Sequence, residues 1–163
     1  MKQKKQNRSL QKYLGILAIL LIGFMSQVNA QQAYTKYCNS RFGFCVSYPA
    51  NFGMSSAPDN NDGREFYDRE GFSMTASGMY NVLENSLKDE MKSQKEDFDT
   101  VTYHKVKNNW YVLSGYKNNN ILYIKTYMGK ETIYHLYIKY PAKLKKEYDQ
   151  IVSKASRSFK PGP

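Results

Sequence analysis

Tyr37–Gly63 reads YCNSRFGFCVSYPANFGMSSAPDNNDG, and this stretch decides the fold. Phe42–Tyr48 alternates, with Phe42, Phe44, Val46 and Tyr48 on one side, which is strand period. Pro49 stops that strand, because proline has no N–H to give a ladder. Asn51–Gly63 has few long aliphatic side chains and closes on Pro58-Asp59-Asn60-Asn61-Asp62-Gly63, a loop rich in turn formers. The stretch also holds both cysteines, Cys38 and Cys45. Their spacing is not C-x-x-C, so it carries no thioredoxin-like redox motif. In an exported protein the default for such a pair is a disulfide. Bridging needs Cα atoms within about 7 Å, so 39–44 must fold back, and Asn39, Ser40 and Gly43 are suitable turn residues. Two free, partly buried thiols are the alternative.

Upstream, Lys2, Lys4, Lys5, Arg8 and Lys12 precede the apolar run Tyr13–Met25, and Ser26-Gln27-Val28-Asn29-Ala30 follows it. A basic segment, an apolar core and a small-residue site form a secretory signal, expected over residues 1–30, with a single domain over 31–163. The run falls short of the roughly 20 residues of a spanning helix. An uncleaved N-terminal anchor is the alternative. The chain of 163 residues carries 24 basic and 14 acidic side chains. Five of the basic ones lie in 2–12, leaving 19 against 14, a net of +5 for the exported part. Export and the lack of a recognition motif argue against nucleic acid as a partner. Cleavage would leave no stable membrane insertion. The expected location is periplasmic or secreted.

Downstream, Gln31–Lys36 is polar and reads as a loose N-terminus. Arg64–Tyr67 and Phe72–Met79 form a hairpin through Asp68-Arg69-Glu70-Gly71, with Phe72, Met74, Ala76 and Gly78 on one face. Val82, Leu83, Leu87 and Met91 follow helical spacing, which predicts a helix of about 14 residues with Asn81 as N-cap. Thr100–Val106, Trp110–Tyr116, Ile121–Met128 and Thr132–Tyr140 are strand-like, and their short Asn- and Gly-bearing links imply an antiparallel meander. Lys143–Phe159 returns to helical period. The order predicts an α+β fold, an antiparallel sheet flanked by helices. In the last two strands Leu122, Ile124 and Met128, with Tyr134, Leu136, Ile138 and Tyr140, read as core. The opposite side is expected to carry Tyr123, Lys125, Tyr127, Tyr137 and Lys139, either covered by the second helix or partly open.

Three runs then become specific: Asn39-Ser40-Arg41-Phe42-Gly43-Phe44, Val46-Ser47-Tyr48-Pro49-Ala50-Asn51-Phe52, and Asn61-Asp62-Gly63-Arg64-Glu65-Phe66 with Gly71 downstream. With Val112-Leu113-Ser114-Gly115, Tyr140-Pro141 and Ser158-Phe159, they resemble exported bacterial proteins of the Mog1/PsbP-like class. The resemblance covers nearly all of the exported part. It implies a curved antiparallel sheet of about six or seven strands sandwiched by helices. The class hosts unrelated roles, among them a GTPase-binding nuclear import factor and a subunit of the photosystem II oxygen-evolving complex. It carries no catalytic residue set. Cys38 and Cys45 depart from its pattern, and Asp59-Asn60-Asn61-Asp62-Gly63 is a variant of its loop.

Little in the chain points to chemistry. Counting back from Gly63 gives Asp62, Asn60 and Pro58, and Arg69 stands where a calcium loop ends in Glu, so 59–63 reads as a turn. His104 and His135 lie on different strands without a ligating neighbour, so no metal is implied. No nucleophile elbow or phosphate-cradling glycine loop is present, and no cofactor follows. The expectation is a small exported protein of the cell envelope, not an enzyme, working by contact with an envelope protein partner, of which an immunity-type role is one form. Tyr123, Lys125, Tyr127, Tyr137 and Lys139 are its candidate binding face. A small-molecule or lipid carrier with a pocket between sheet and helix is the alternative, and a hydrolase a distant third.

Overall fold

Alternating apolar residues need a second layer to cover them, and the chain supplies one on each side of a single sheet. The computed structural model describes residues 32–162; the expected signal segment, residues 1–30, lies outside them. The elements are β1 (Tyr34–Cys38), β2 (Cys45–Pro49), β3 (Gly53–Met54), β4 (Gly63–Tyr67), β5 (Ser73–Tyr80), α1 (Leu87–Lys95), β6 (Thr100–Lys107), β7 (Trp110–Lys117), β8 (Asn120–Met128), β9 (Thr132–Pro141), a 3₁₀ turn Ala142–Leu144 and α2 (Lys145–Ser158). Seven strands form one sheet in the order β3-β4-β5-β9-β8-β7-β6, and every pairing in it is antiparallel. The expected hairpin and meander are both present.

The strand expected over Phe42–Tyr48 is shorter, because 39–44 form the turn before it, and runs on through Pro49. As Cys45–Pro49 it belongs to a separate hairpin, while β3 of the same stretch joins the main sheet. β1 pairs with β2, so the segment read as a loose N-terminus is a strand from Tyr34 onward. Its polar pattern hid this, because β1 is largely exposed and needs no apolar alternation. Asn39 shapes the turn: its side-chain oxygen accepts from Arg41 N and Phe42 N, and its carbonyl from Gly43 N. Gly43 sits at φ +71°, where a side chain is disfavoured. Cys38 and Cys45 are thereby cross-strand partners, bridged, with Cα atoms 4.1 Å apart.

α2 buries Tyr148, Val152 and Ala155 on one side of the sheet, against Phe72, Met74, Ala76, Leu136, Ile138 and Tyr140. Its last residues explain the Ser158-Phe159 pair. Ser158 Oγ accepts from Ser47 N at 2.8 Å, and Phe159, fully buried, meets Phe44 and Tyr127. Phe159 adopts an extended backbone, and Lys160 then exchanges both backbone hydrogen bonds with Cys45.

α1 departs from expectation. It begins at Leu87, not near Asn81, and spans 9 residues. Ser86 and Asp89 form a capping box, a signal present in the sequence. Asn81 instead closes a loop by pairing its side chain with both Asn85 N and Asn85 O. Glu84 at φ +52° interrupts any helix there, and Val82 and Leu83 are 81% and 78% exposed rather than core.

The bridge gives the first prediction. Non-reducing mass measurement of the protein shows two hydrogens fewer than the reduced chain, and replacing both cysteines by serine lowers stability by about 2 kcal/mol in urea unfolding. Two freely alkylated thiols would sink it.

Candidate binding face

Cross-strand partners share a face, so the register decides which side chains meet. Tyr123 pairs with Ile138, Lys125 with Leu136 and Tyr127 with Tyr134, placing the first three on the α2 side. Tyr137 pairs with Ile124 and Lys139 with Leu122, which places these two on the α1 side. The five expected residues therefore do not form one surface. Tyr137 is half-buried beside Tyr111, Leu122 and Ile124, and Lys139 is exposed. Both sides of the sheet are covered, so each strand carries a mixed pattern on both.

The α2 side continues beyond α2. Three rows cross β6, β7 and β8 there: Tyr103, Ser114 and Tyr123; Lys105, Val112 and Lys125; Lys107, Trp110 and Tyr127. No row holds an acidic residue. α2 ends over the β8 column. Tyr123 Oη and Ser156 Oγ are 2.5 Å apart, and Lys125 Nζ donates to the Ser156 carbonyl at 2.7 Å. The β6 and β7 columns lie past the helix. Tyr103 is 52% exposed and the neighbouring Tyr116 43%, and Lys105 and Lys107 are exposed. Tyr103, Lys105, Lys107 and Trp110 were absent from the expected face, although the alternation of 100–107 and 110–117 carries them.

Lys125 is the unusual member. It is 7% exposed, with Nζ 4.9 Å from the Tyr127 ring centre and 5.4 Å from that of Trp110. Burial, and secondarily the charge of Lys160, pulls its ammonium down to about 8. Burial raises the Tyr123 and Tyr127 hydroxyls above their ordinary range.

Beneath α1 lies a polar network. Tyr111 Oη donates to Gln94 Oε1 at 2.7 Å and Thr126 Oγ1 to the same oxygen at 3.0 Å. Gln94 Nε2 donates to His135 Nδ1 at 3.0 Å and to Glu90 Oε1 at 3.4 Å. His135 Nδ1 thus accepts, which puts its proton on Nε2, 3.6 Å from Glu90 Oε1. Burial holds the imidazole below its ordinary 6.5, with Glu90 opposing more weakly. Thr126, His135 and Glu90 contain the groups of a nucleophile triad, but Thr126 is fully buried under the helix, out of a substrate's reach. The network instead fastens α1, a helix with no fully buried residue.

Two open recesses, of about 350 and 500 Å³, lie beside β4, one under Ser55–Pro58 and one between Asn51 and Glu70; neither is lined by a helix. Among the described residues, no three His, Cys, Asp or Glu gather to hold a metal, and no helix is long and apolar enough to cross a membrane.

No family model and no curated protein matches the chain. Among solved structures it is similar to the solution structure of cyanobacterial PsbP from Synechocystis sp. PCC 6803. The TM-score is 0.58 over 83% of this chain and 96% of that one, at 9% sequence identity. The fold is PsbP-like, as the opening stretch implied.

Two predictions follow from these environments. Lys125→Met removes a buried charge while keeping its volume, and raises stability by about 1–2 kcal/mol in urea unfolding; a loss of stability contradicts the burial argument. His135 binds its proton less readily folded than unfolded, so stability falls as pH drops below about 6.5. Thermal melts from pH 7.5 to 5 show a smaller decline for His135→Gln; parallel declines refute the assignment.

Proposed function

We propose that the protein is an exported, non-catalytic binding or accessory protein of the cell envelope that works by protein–protein contact, with the uncovered β6–β7 part of the α2 side as its contact face. The carrying observation is the patch itself: Tyr103, Tyr116, Trp110, Lys105 and Lys107 on two strands that α2 leaves open, with no acid in the rows. Exposed aromatics with neighbouring cations are interface chemistry. An immunity-type role against a secreted toxin is one form such contact takes.

The N-terminal segment supports export, and the Cys38–Cys45 bridge supports an oxidising, periplasmic or extracellular location. Carriage of a small molecule asks for an enclosed pocket under the helix. That space holds Phe44, Phe72, Tyr140, Tyr148 and Phe159, packed ring to ring at centroid distances of 4.9–5.9 Å. This packing favours contact over carriage.

Site-specific photocrosslinking in the producing cell tests the reading. A photoreactive residue at Tyr103 or Tyr116 captures one and the same envelope protein, and the same residue at Tyr67, exposed on β4, does not. Equal capture from all three positions, or none from the first two, overturns it.

A further inference from the structure

The interior of a sheet is a costly place for an ammonium group. Lysines are almost never buried without a partner of opposite charge. Lys125 lies on β8, between β7 and β9, and is nearly buried. Its one hydrogen bond goes to the Ser156 carbonyl, and none of the ion pairs among the described residues includes it. The rings of Trp110 and Tyr127 attract the ammonium but do not neutralise it. The other charges facing it are Lys160 from the chain's tail and Lys105 from β6, and Tyr123 and Tyr127 are the titratable hydroxyls beside it.

The row around it has a definite shape. Lys105, Val112 and Lys125 stand across three strands, so the outer two backbones are about 10 Å apart with a short side chain between them. Along β7, Trp110 and Ser114 flank Val112 on the same side. The Ser114 hydroxyl has no hydrogen-bond partner among the described residues. A group seated over Val112 thus meets an apolar floor, an indole wall, one hydroxyl and an ammonium on either side. A carboxylate supplies the charge and the acceptor oxygens that this arrangement lacks.

We propose, resting on the contact face assigned above, that the patch over Val112 recognises a carboxylate, an Asp or Glu side chain on a segment of the partner protein. Val112 and Lys125 are themselves only 6% and 7% exposed, and Tyr103 and Tyr116 surround them with exposed aromatic surface. That shape suits a protein segment, whereas a small free carboxylate needs a site that encloses most of its surface.

Titration calorimetry of the protein tests this with three probes: a Glu-Ser-Glu-Ser-Glu-Ser peptide, its Gln-Ser counterpart, and glutarate. The acidic peptide binds about 10-fold or more tighter than the Gln peptide, the range of a charge-assisted hydrogen bond. Lys125→Met loses that advantage and Lys125→Arg keeps it. Because a seated carboxylate favours the charged amine, wild-type binding weakens above pH 8 and Lys125→Arg binding does not. Lys105→Ala and Ser114→Ala each weaken the acidic peptide about 3-fold or more, and they test the site without altering the buried amine. Equal affinity for the Glu and Gln peptides, or full binding by both Lys125→Met and Lys105→Ala, overturns the proposal. Glutarate binding as tightly as the peptide overturns the assignment to a protein segment. A partner still crosslinked from Tyr103 while the Glu peptide shows no advantage leaves the contact face standing and removes only the carboxylate.

Discussion

The parity of the hairpin links governs this protein's surface. Side chains alternate along a strand, so adding or removing one residue in a link exchanges the two faces of everything after it. Two-residue links join β6 to β7 and β7 to β8, where Lys107 pairs with Trp110 and Lys117 with Asn120. Met128 pairs with Ile133 across a four-residue link. All three counts are even. They align Tyr103, Lys105 and Lys107 with Trp110, Val112 and Ser114, and these with Tyr123, Lys125 and Tyr127. They send Tyr137 and Lys139 to the other side. The candidate site is thus a product of link lengths as much as of the residues that line it.

What remains open on that side depends on where α2 stops. The helix ends because the chain after it is wanted elsewhere. Phe159 turns to extended backbone and fills the space between Phe44 and Tyr127, and Lys160 joins β2 at Cys45. The disulfide holds the other edge of that strand, and Gly162 packs on Gly43 at the turn. The hairpin, the tail and the last turn of α2 form one fastening over β8. A further helical turn could not form without breaking it, so β7 and β6 stay uncovered. The cysteine and aromatic stretch, which decides the fold, acts on the candidate site only by fixing this boundary.

Much of this was legible in the residues. Asp68 and Gly71 mark the β4–β5 turn: the Asp68 carboxylate accepts from Glu70 N and Phe72 N, and Gly71 takes φ +99°. The alternation of Phe72, Met74 and Ala76 marks a buried face. Three things were not legible for physical reasons. β1 is stabilised by backbone pairing and a bridge, which leave no apolar pattern. Val82 and Leu83 share helical spacing with Leu87, but spacing carries no trace of the positive φ at Glu84, which keeps the helix from starting before Leu87. The two faces of β8 and β9 could be separated within each strand but not matched between strands, since apolar residues stand on both sides of a sheet covered twice. The expected face of five residues failed at that matching.

The lysines of the patch have different physical standing. β6 is an edge strand, and charged side chains on an edge discourage strand addition by another chain. Lys105 and Lys107 are accounted for by that role alone. Lys125 is not. It lies two strands in from the edge, where no chain can add, and burial disfavours its charge. Its stem could pack as well in methionine, without the desolvation that an ammonium suffers. Edge protection and core packing do not call for an amine at this position, and the intramolecular role left to it is to cap the Ser156 carbonyl in the last turn of α2. That carbonyl leaves the charge unneutralised, and the carboxylate proposed above would convert it into a paired one at the moment of contact. The same burial that makes the residue unfavourable in the free protein strengthens that pairing once water is excluded.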